Sequence, residues 1–309
     1  MLISASYKTD IPAFYGEWFL NRLRAGYCLM AHPYNRRKIF RVSLERRDID
    51  GIVFWTKNLG PFLNVLDEVN KRGFPFVVQY TINAYPRKLE FSVTDPVRSL
   101  KHVEHLAGKY GPRSVVWRYD PIVFSSETPV DSHLENFSWL AGRLSGMTDE
   151  VVVSFAQMYE KTKRNMEWAA REFTFCWRDP SDDEKRQLLR QLLRIALSNH
   201  MSLTVCSQPH LLESGVQEAH CIDAQRFAAM IGAPIKAELR GARKECGCYA
   251  SRDIGDYDTC PHGCVYCYAV RNRKLAQRRF REHDPKGEFL FAPLGSMSQD
   301  SGDLLSFPP

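Results

Sequence analysis

Between residues 258 and 269 the chain reads DTCPHGCVYCYA, and its three cysteines, Cys260, Cys264 and Cys267, stand in a C-x3-C-x2-C spacing with Tyr266 just before the last. Three thiols on so short a loop can hold a metal, form a disulfide with one left over, or pack as small apolar groups. A closed zinc site needs four ligands, so Cys264 and Cys267 would form one C-x2-C knuckle and Cys246 or Cys260 would complete it. Three thiolates can instead hold three irons of a cubane iron–sulfur cluster, leaving the fourth iron open to a substrate or cofactor. Cys246 and Cys248 form a C-x-C pair upstream, and with Cys206 and Cys221 they make four thiols, enough for a second iron–sulfur cluster or a zinc. The plainer reading is that Cys206 and Cys221 are buried thiols and the pair flanks the first site. Cys28 and Cys176 are isolated and read as small buried hydrophobes.

Such groups need a scaffold, and the rest of the chain supplies one. Six short apolar runs, LISAS (2–6), GIVFW (51–55), FPFVVQYTI (74–82), SVVWRY (114–119), EVVVSF (150–155) and SLTVCS (202–207), are apolar throughout rather than alternating. That is the pattern of parallel strands covered on both faces. Helical stripes lie between them. Val97, Leu100, Val103, Leu106 and Tyr110 fall three or four apart, Ser181 and Glu184 have capping-box spacing, and Asp223 and Gly232 bracket a short helix. Repeated β-then-α units predict an α/β fold, a (β/α) TIM-like or partial barrel of parallel strands, with a doubly wound open sheet as the alternative. The expected organisation is a barrel over residues 1–240, a cysteine-rich segment over 241–283 packed on the barrel mouth, and a Ser-, Gly- and Pro-rich flexible tail over 284–309.

In such barrels function gathers at the C-terminal ends of the strands. There this sequence places Lys8, Thr9 and Asp10, then Thr56, Lys57 and Asn58, then Gln79, Tyr80 and Thr81. Arg118, Tyr119 and Asp120 follow, then Gln157, and finally Cys206, Ser207 and Gln208. A single polar strand end is ordinary, but six together predict a polar cavity. Lys8, Asp10, Lys57, Arg118 and Asp120 are candidates to hold a carboxylate, an amine or phosphates, and Gln79 and Gln208 complete the ring.

Of the 309 residues 44% are hydrophobic and 25% charged, a globular composition. No apolar run reaches membrane-spanning length, and MLISASYKTDIP lacks the order of a secretory leader. The expectation is a cytoplasmic protein without membrane attachment, where thiols are ligands, catalysts or fillers rather than a disulfide framework. The net charge of +6 is clustered. Arg22, Arg24, Arg36, Arg37, Lys38, Arg41, Arg46 and Arg47 are opposed only by Glu45, with Tyr27, Tyr34 and Phe40 interleaved. Arg271, Arg273, Lys274, Arg278, Arg279 and Arg281 follow the cysteine loop. Each run alone reads as a solvated face, whereas the two together admit a nucleic-acid substrate beside a small molecule or peptide.

C-x3-C-x2-C with an aromatic before the third cysteine resembles the signature of radical S-adenosylmethionine enzymes, and GCVYCYA resembles its form in spore photoproduct lyases and their relatives. The resemblance implies that Cys260, Cys264 and Cys267 bind a 4Fe-4S cluster whose fourth iron is chelated by S-adenosylmethionine. A reductant such as flavodoxin or ferredoxin would then drive cleavage to a 5′-deoxyadenosyl radical. It also implies that Tyr266 sits near the adenine, and the ring residues Gln79 and Gln208 are expected on the same cofactor. In those enzymes the loop usually follows the first barrel strand. Here it comes after all six β-α units, so either the strand order is permuted or the C-terminal segment folds back over the mouth. The layout from SASYKTDIPAFYGEWF to CGCYASRDIGDYDTCPHGCVYCYA resembles a bacterial family of unknown function, DUF1848, over nearly the whole chain. The expected function is that of a radical S-adenosylmethionine-type enzyme, and the alternative is a non-catalytic zinc or iron–sulfur protein that binds nucleic acid.

Overall fold

The computed structural model describes residues 1–32, 35–241, 243 and 245–293. Its centre is one sheet of eight strands: β1 (Leu2–Ala5), β2 (Gly51–Thr56), β3 (Phe76–Thr81), β4 (Val115–Ile122), β5 (Glu150–Phe155), β6 (Ser202–Val205), β7 (Gln217–Glu218) and β8 (Ser251–Asp253). Their order across the sheet is β7-β6-β5-β4-β3-β2-β1-β8, and every ladder is parallel. Nine α-helices occur among the described residues: α1 (Ile11–Phe14), α2 (Gly16–Ala25), α3 (Leu63–Lys71), α4 (Pro96–Tyr110), α5 (Val130–Leu144), α6 (Glu160–Phe173), α7 (Asp182–Ser198), α8 (Ala224–Ile231) and α9 (Arg273–Arg281). This is the expected α/β architecture, a parallel sheet flanked by helices, consistent with a partial barrel.

The strands are apolar throughout because both faces are covered. On one face Ile3, Ile52, Phe54, Val78, Trp117 and Val153 pack with residues of α2 to α7 in the main core. On the other, Leu2, Val53, Val77, Val116 and Val152 form a second apolar layer with Phe227 of α8. The ring of Phe227 lies so close over Gly51 that a Cβ there would meet it at 2.5 Å. Two residues further along each strand, on the same face, stand Ser4, Trp55, Gln79, Arg118 and Ser154. The inner face therefore changes from apolar to polar toward the strands' C-terminal ends.

β7 and β8 were too short to read in the sequence, and no ladder joins them among the described residues. What crosses that seam just beyond the strands is irregular backbone, with the Tyr249 amide donating to the Ile222 carbonyl at 3.0 Å. β8 belongs to the stretch expected to be a separate cysteine-rich segment, yet it extends the sheet beside β1. Residues 284–293 also depart from the expected tail. Asn21 and Arg22 of α2 donate to the carbonyls of Pro285 and Lys286, Trp18 donates to Gly287, and the Leu29 amide donates to Glu288. The rest of the tail and Tyr34 lie outside the described residues. The predicted caps are present: Ser181 and Glu184 form a capping box on α7, and Asp223 caps α8, which ends at a left-handed Gly232. Cys28 is buried as expected, but Cys176 is exposed. No helix among the described residues is long and apolar enough to cross a membrane.

Candidate functional site

At the strands' C-terminal ends lies a cavity of about 1170 Å³, at or above the upper end of the roughly 300–1,000 Å³ range of small-molecule sites. All seven cysteines of the two groups line it: Cys260, Cys264 and Cys267 of the loop, and Cys206, Cys221, Cys246 and Cys248. The candidates Lys8, Asp10, Lys57, Arg118, Asp120 and Tyr266 line it as well.

The cysteine loop is held from several sides. The Val265 amide donates to Leu89, Ser92 donates to the His262 carbonyl, and Asp258 donates to Ala269, each at 3.0 Å. The Tyr15 hydroxyl donates to the Thr259 carbonyl at 2.5 Å. Gly263 has φ 78° and a Cβ there would meet Arg273 at 2.7 Å, so this turn of the loop accepts only glycine without strain. Asp10 anchors the loop to the sheet. One carboxylate oxygen accepts from the Ala13 amide at 2.9 Å and caps α1, while the other accepts from the Lys57 amide and from His262 Nε2, each at 2.7 Å. Its role in this arrangement is to position, since both oxygens are used. The three loop thiols are desolvated, and burial is the largest cause raising each of their pKa values. Thiols so held stay protonated until a cation draws the protons off.

Beside them Lys57 and Glu90 form a buried pair at 2.8 Å, with the Lys57 ammonium 3.1 Å from the Tyr266 hydroxyl and Tyr266 donating to Glu90. Asn83 donates to the same Glu90 oxygen at 3.4 Å. Burial opposes the charge on Lys57, yet Glu90 and the sulfur of Cys264 leave its pKa above the ordinary value. Across the cavity Arg118 pairs with Asp120 at 2.6 Å and lies over the Trp55 ring at 5.1 Å. Its other guanidinium nitrogen donates to Gln79 Oε1 at 3.1 Å and to Cys221 Sγ at 3.0 Å. Lys8 sits 3.2 Å from Asp253, which also accepts from Ser4 and Ser6 at 2.7 Å and from the Tyr7 amide at 3.1 Å.

Of the expected strand-end residues, Asn58, Gln79, Tyr80, Tyr119 and Gln208 do not line the cavity. Gln79 stands behind Arg118 and donates to the Cys221 carbonyl at 2.9 Å. Gln208 clamps the end of β5, accepting from the Phe155 amide at 2.7 Å and donating to its carbonyl at 3.2 Å. In both amides the oxygen and the nitrogen are each engaged by a protein group, so their work is to brace, not to bind. Glu90, Asp253, His262 and Trp55 were missed. Glu90 sits in a loop with no periodic pattern, and only its partners reveal it. The signal for Asp253 was the residues DIGDYD just before the cysteines, which hold an acid at the end of an unread strand.

The four upstream thiols make up the other part of this cavity's cysteine set. Cys221 donates to Cys206 with their sulfurs 3.5 Å apart, and the Cys248 sulfur accepts from the Ile222 amide at 3.4 Å. Among the described residues, no three His, Cys, Asp or Glu side chains surround a point that one metal ion could occupy. Neither cysteine group is thus a ready-made mononuclear site, as the zinc reading requires. A cubane is held at its corners by thiolates that need not converge on one point, and the loop's three desolvated sulfurs in a cavity wall fit that donor set.

The rim is cationic. Lys8, Arg36, Arg37, Lys57, Arg118, Lys161, Arg243, Arg271 and Arg279 line the cavity, against the carboxylates Asp10, Asp120, Asp256 and Asp258, with Asp253 and Glu90 paired to Lys8 and Lys57 behind its wall. Arg36 and Arg37 come from the first basic run, and Arg271 and Arg279 from the second. Residues 2–269 match the model of a family described as a domain of unknown function, DUF1848. No curated protein and no solved structure matches the chain.

Proposed function

We propose that this chain, which belongs to the DUF1848 family, is a radical S-adenosylmethionine-type enzyme in which Cys260, Cys264 and Cys267 hold a 4Fe-4S cluster at the cavity wall. The observation that carries the reading is the placement of those three loop thiols, with the polar strand ends, on one large cavity. When bound, the cluster and S-adenosylmethionine supply one-electron reductive cleavage that starts radical chemistry on a substrate.

The chain's own residues do the rest. Asp10 and His262 fix the loop, and Glu90 holds Lys57 and Tyr266 at its edge. The Lys57 ammonium stays charged beside Cys264 and offsets the negative charge of a thiolate there. Arg118 and Asp120 offer a paired cation and anion to an amino acid-like or phosphate group, and the Trp55 face backs them. The rim of lysines and arginines favours an anionic substrate, either a phosphorylated small molecule or a nucleic-acid segment. Radical chemistry also demands a site that excludes water and holds one pose, which these mutually braced side chains suit.

The test is anaerobic purification with iron and sulfide analysis. The expected result is brown protein with about four irons, the count of one cubane, which is lost in Cys260→Ala, Cys264→Ala, Cys267→Ala. Colourless protein with one tightly held zinc, or unchanged iron in the triple variant, overturns the assignment.

A further inference from the structure

We propose that the outer side of the cysteine loop is the docking surface for an acidic one-electron carrier protein of the flavodoxin or ferredoxin kind, seated on an exposed patch of Trp168, Phe91 and Phe173 with arginines around it. The proposal rests on the cluster reading above, because reductive cleavage takes an electron from outside the site.

The loop is a wall with two sides. Cys260, Cys264 and Cys267 line the cavity, whereas Phe91, Trp168, Phe173 and Arg273 do not. Phe91 and Arg273 stand behind Gly263, the residue before Cys264. A Cβ at Gly263 would meet the Arg273 side chain at 2.7 Å and the Phe91 ring at 3.0 Å. The chain on either side of Phe91 is joined to the loop. Glu90 forms a bridge with Cys264, and the Ser92 amide donates to the His262 carbonyl at 3.0 Å. One thickness of backbone thus separates this outer face from a cluster ligand.

Three aromatic rings meet there. Phe91 lies 5.3 Å from Phe173 and 6.2 Å from Trp168, and Trp168 lies 6.0 Å from Phe173. The Arg273 guanidinium covers the Phe91 ring at 4.5 Å and donates to the Ser92 hydroxyl at 3.1 Å. Phe91 and Phe173 pack against the main core, but Trp168 keeps 52% of its surface exposed. Tryptophan and arginine are among the side chains that most often carry the energy of a protein interface. Electron-transfer encounters are small, under about 1,200 Å² in total, so one anchoring indole with charges around it suits them.

Charge selects the partner. On α6, Arg164 and Arg171 stand one turn before and one turn after Trp168 on the same stripe, with Glu167 and Glu172 beside them. Those four cancel. The excess comes from residues 271–281, which carry Arg271, Arg273, Lys274, Arg278, Arg279 and Arg281 and no acid. Arg164 Nη2 donates to the Arg271 carbonyl at 2.9 Å and Asn165 to the Val270 carbonyl at 3.3 Å, so the start of this run abuts α6. A second copy of the chain would bring the same cations and be repelled, whereas a carrier with an acidic rim around its redox group is drawn in. The reduced carrier gives up one electron and the cluster gains it, and no bond is made or broken at this surface.

The test titrates the full chain, purified anaerobically, into a fluorescently labelled flavodoxin and, separately, a ferredoxin, and reads anisotropy at rising salt. Expected is saturable binding that weakens as salt rises. Trp168→Ala should weaken it at least about tenfold. The double variant Arg164→Glu, Arg171→Glu should weaken it at low salt and remove much of its salt dependence. Iron content, and bleaching by dithionite, a small reductant that needs no docking surface, should match the wild type in both variants, while bleaching by the reduced carrier slows in step with the lost affinity. The proposal is overturned if neither carrier binds or if both variants bind and are reduced as the wild type is. Loss of iron in either variant also overturns it and makes the patch a support of the loop. Self-association that Trp168→Ala abolishes would give the face to a second copy, and oligonucleotide binding lost in step with carrier binding would give it to nucleic acid, so each of these overturns it too. Wild-type protein without iron sinks the cluster reading, whereas iron-loaded protein that binds no carrier sinks only the docking surface.

Discussion

Lys57 and Glu90 show what a single buried pair can decide. With side-chain exposures of 14% and 3%, neither charge is well solvated, so removing one partner leaves the other poorly compensated, at a cost of up to about 3–5 kcal/mol. Glu90→Gln should lower unfolding free energy by that order in urea titration. The double variant Lys57→Met, Glu90→Gln should recover most of the loss, because it strands no charge. A double variant as unstable as the single one would show that Glu90 acts through Tyr266 and Asn83 instead. At this scale the sequence was readable where chemistry is local. Lys8, Asp10, Lys57, Arg118 and Asp120 all reach the cavity because each lies at a strand end. Gln79 and Gln208 stand at strand ends too, but face backbone groups that need them. Glu90 could not be found this way, since its role comes from Lys57 and Tyr266, both far along the chain.

Of the helices, α4, α7 and α8 were legible from their stripes and caps. The stripe on α4 is one case: Leu100, Val103 and Leu106 are buried as read, while Val97 at its first turn is exposed. β7 and β8 were invisible, because two- and three-residue strands carry no period and are defined by their neighbours. One inter-element contact has a consequence for acid stability. His133 of α5 is buried, bonded to the Tyr119 hydroxyl of β4 at 2.9 Å and to the Val123 carbonyl at 3.0 Å. Burial pushes its pKa down from 6.5 to about 4. The unfolded chain takes up a proton that the folded one refuses, so the stabilising effect is complete above pH 6.5 and is lost as pH falls through about 4. That is up to roughly 3 kcal/mol, and thermal unfolding followed from pH 7 to pH 4 should show it. His133→Gln should start less stable but lose about one proton's worth less over the same range. A pH dependence identical to the wild type's would assign the acid loss elsewhere.

For the whole molecule the leading property is charge. Two basic runs more than 200 residues apart in sequence send Arg36, Arg37, Arg271 and Arg279 to one rim, a convergence that composition suggested but only the fold brings about. Arg36 also pairs with Asp256 at 2.6 Å. A single-stranded oligonucleotide used as a polyanionic probe should bind, with affinity falling as salt rises. Arg36→Ala, Arg37→Ala should weaken it and flatten the log–log salt slope by up to about two, one per lost phosphate contact. Binding indifferent to salt and to both substitutions would point to a small substrate. The open seam bears on how such a cavity changes over time. In a closed barrel, strand number and stagger fix the girth, and altering it means re-registering the hoop. Here the last span is closed by a hydrogen bond and by side chains, which can be replaced one at a time while every ladder keeps its register. The fold thus leaves one adjustable stave, through which relatives can come to admit cargoes of different size without being rebuilt.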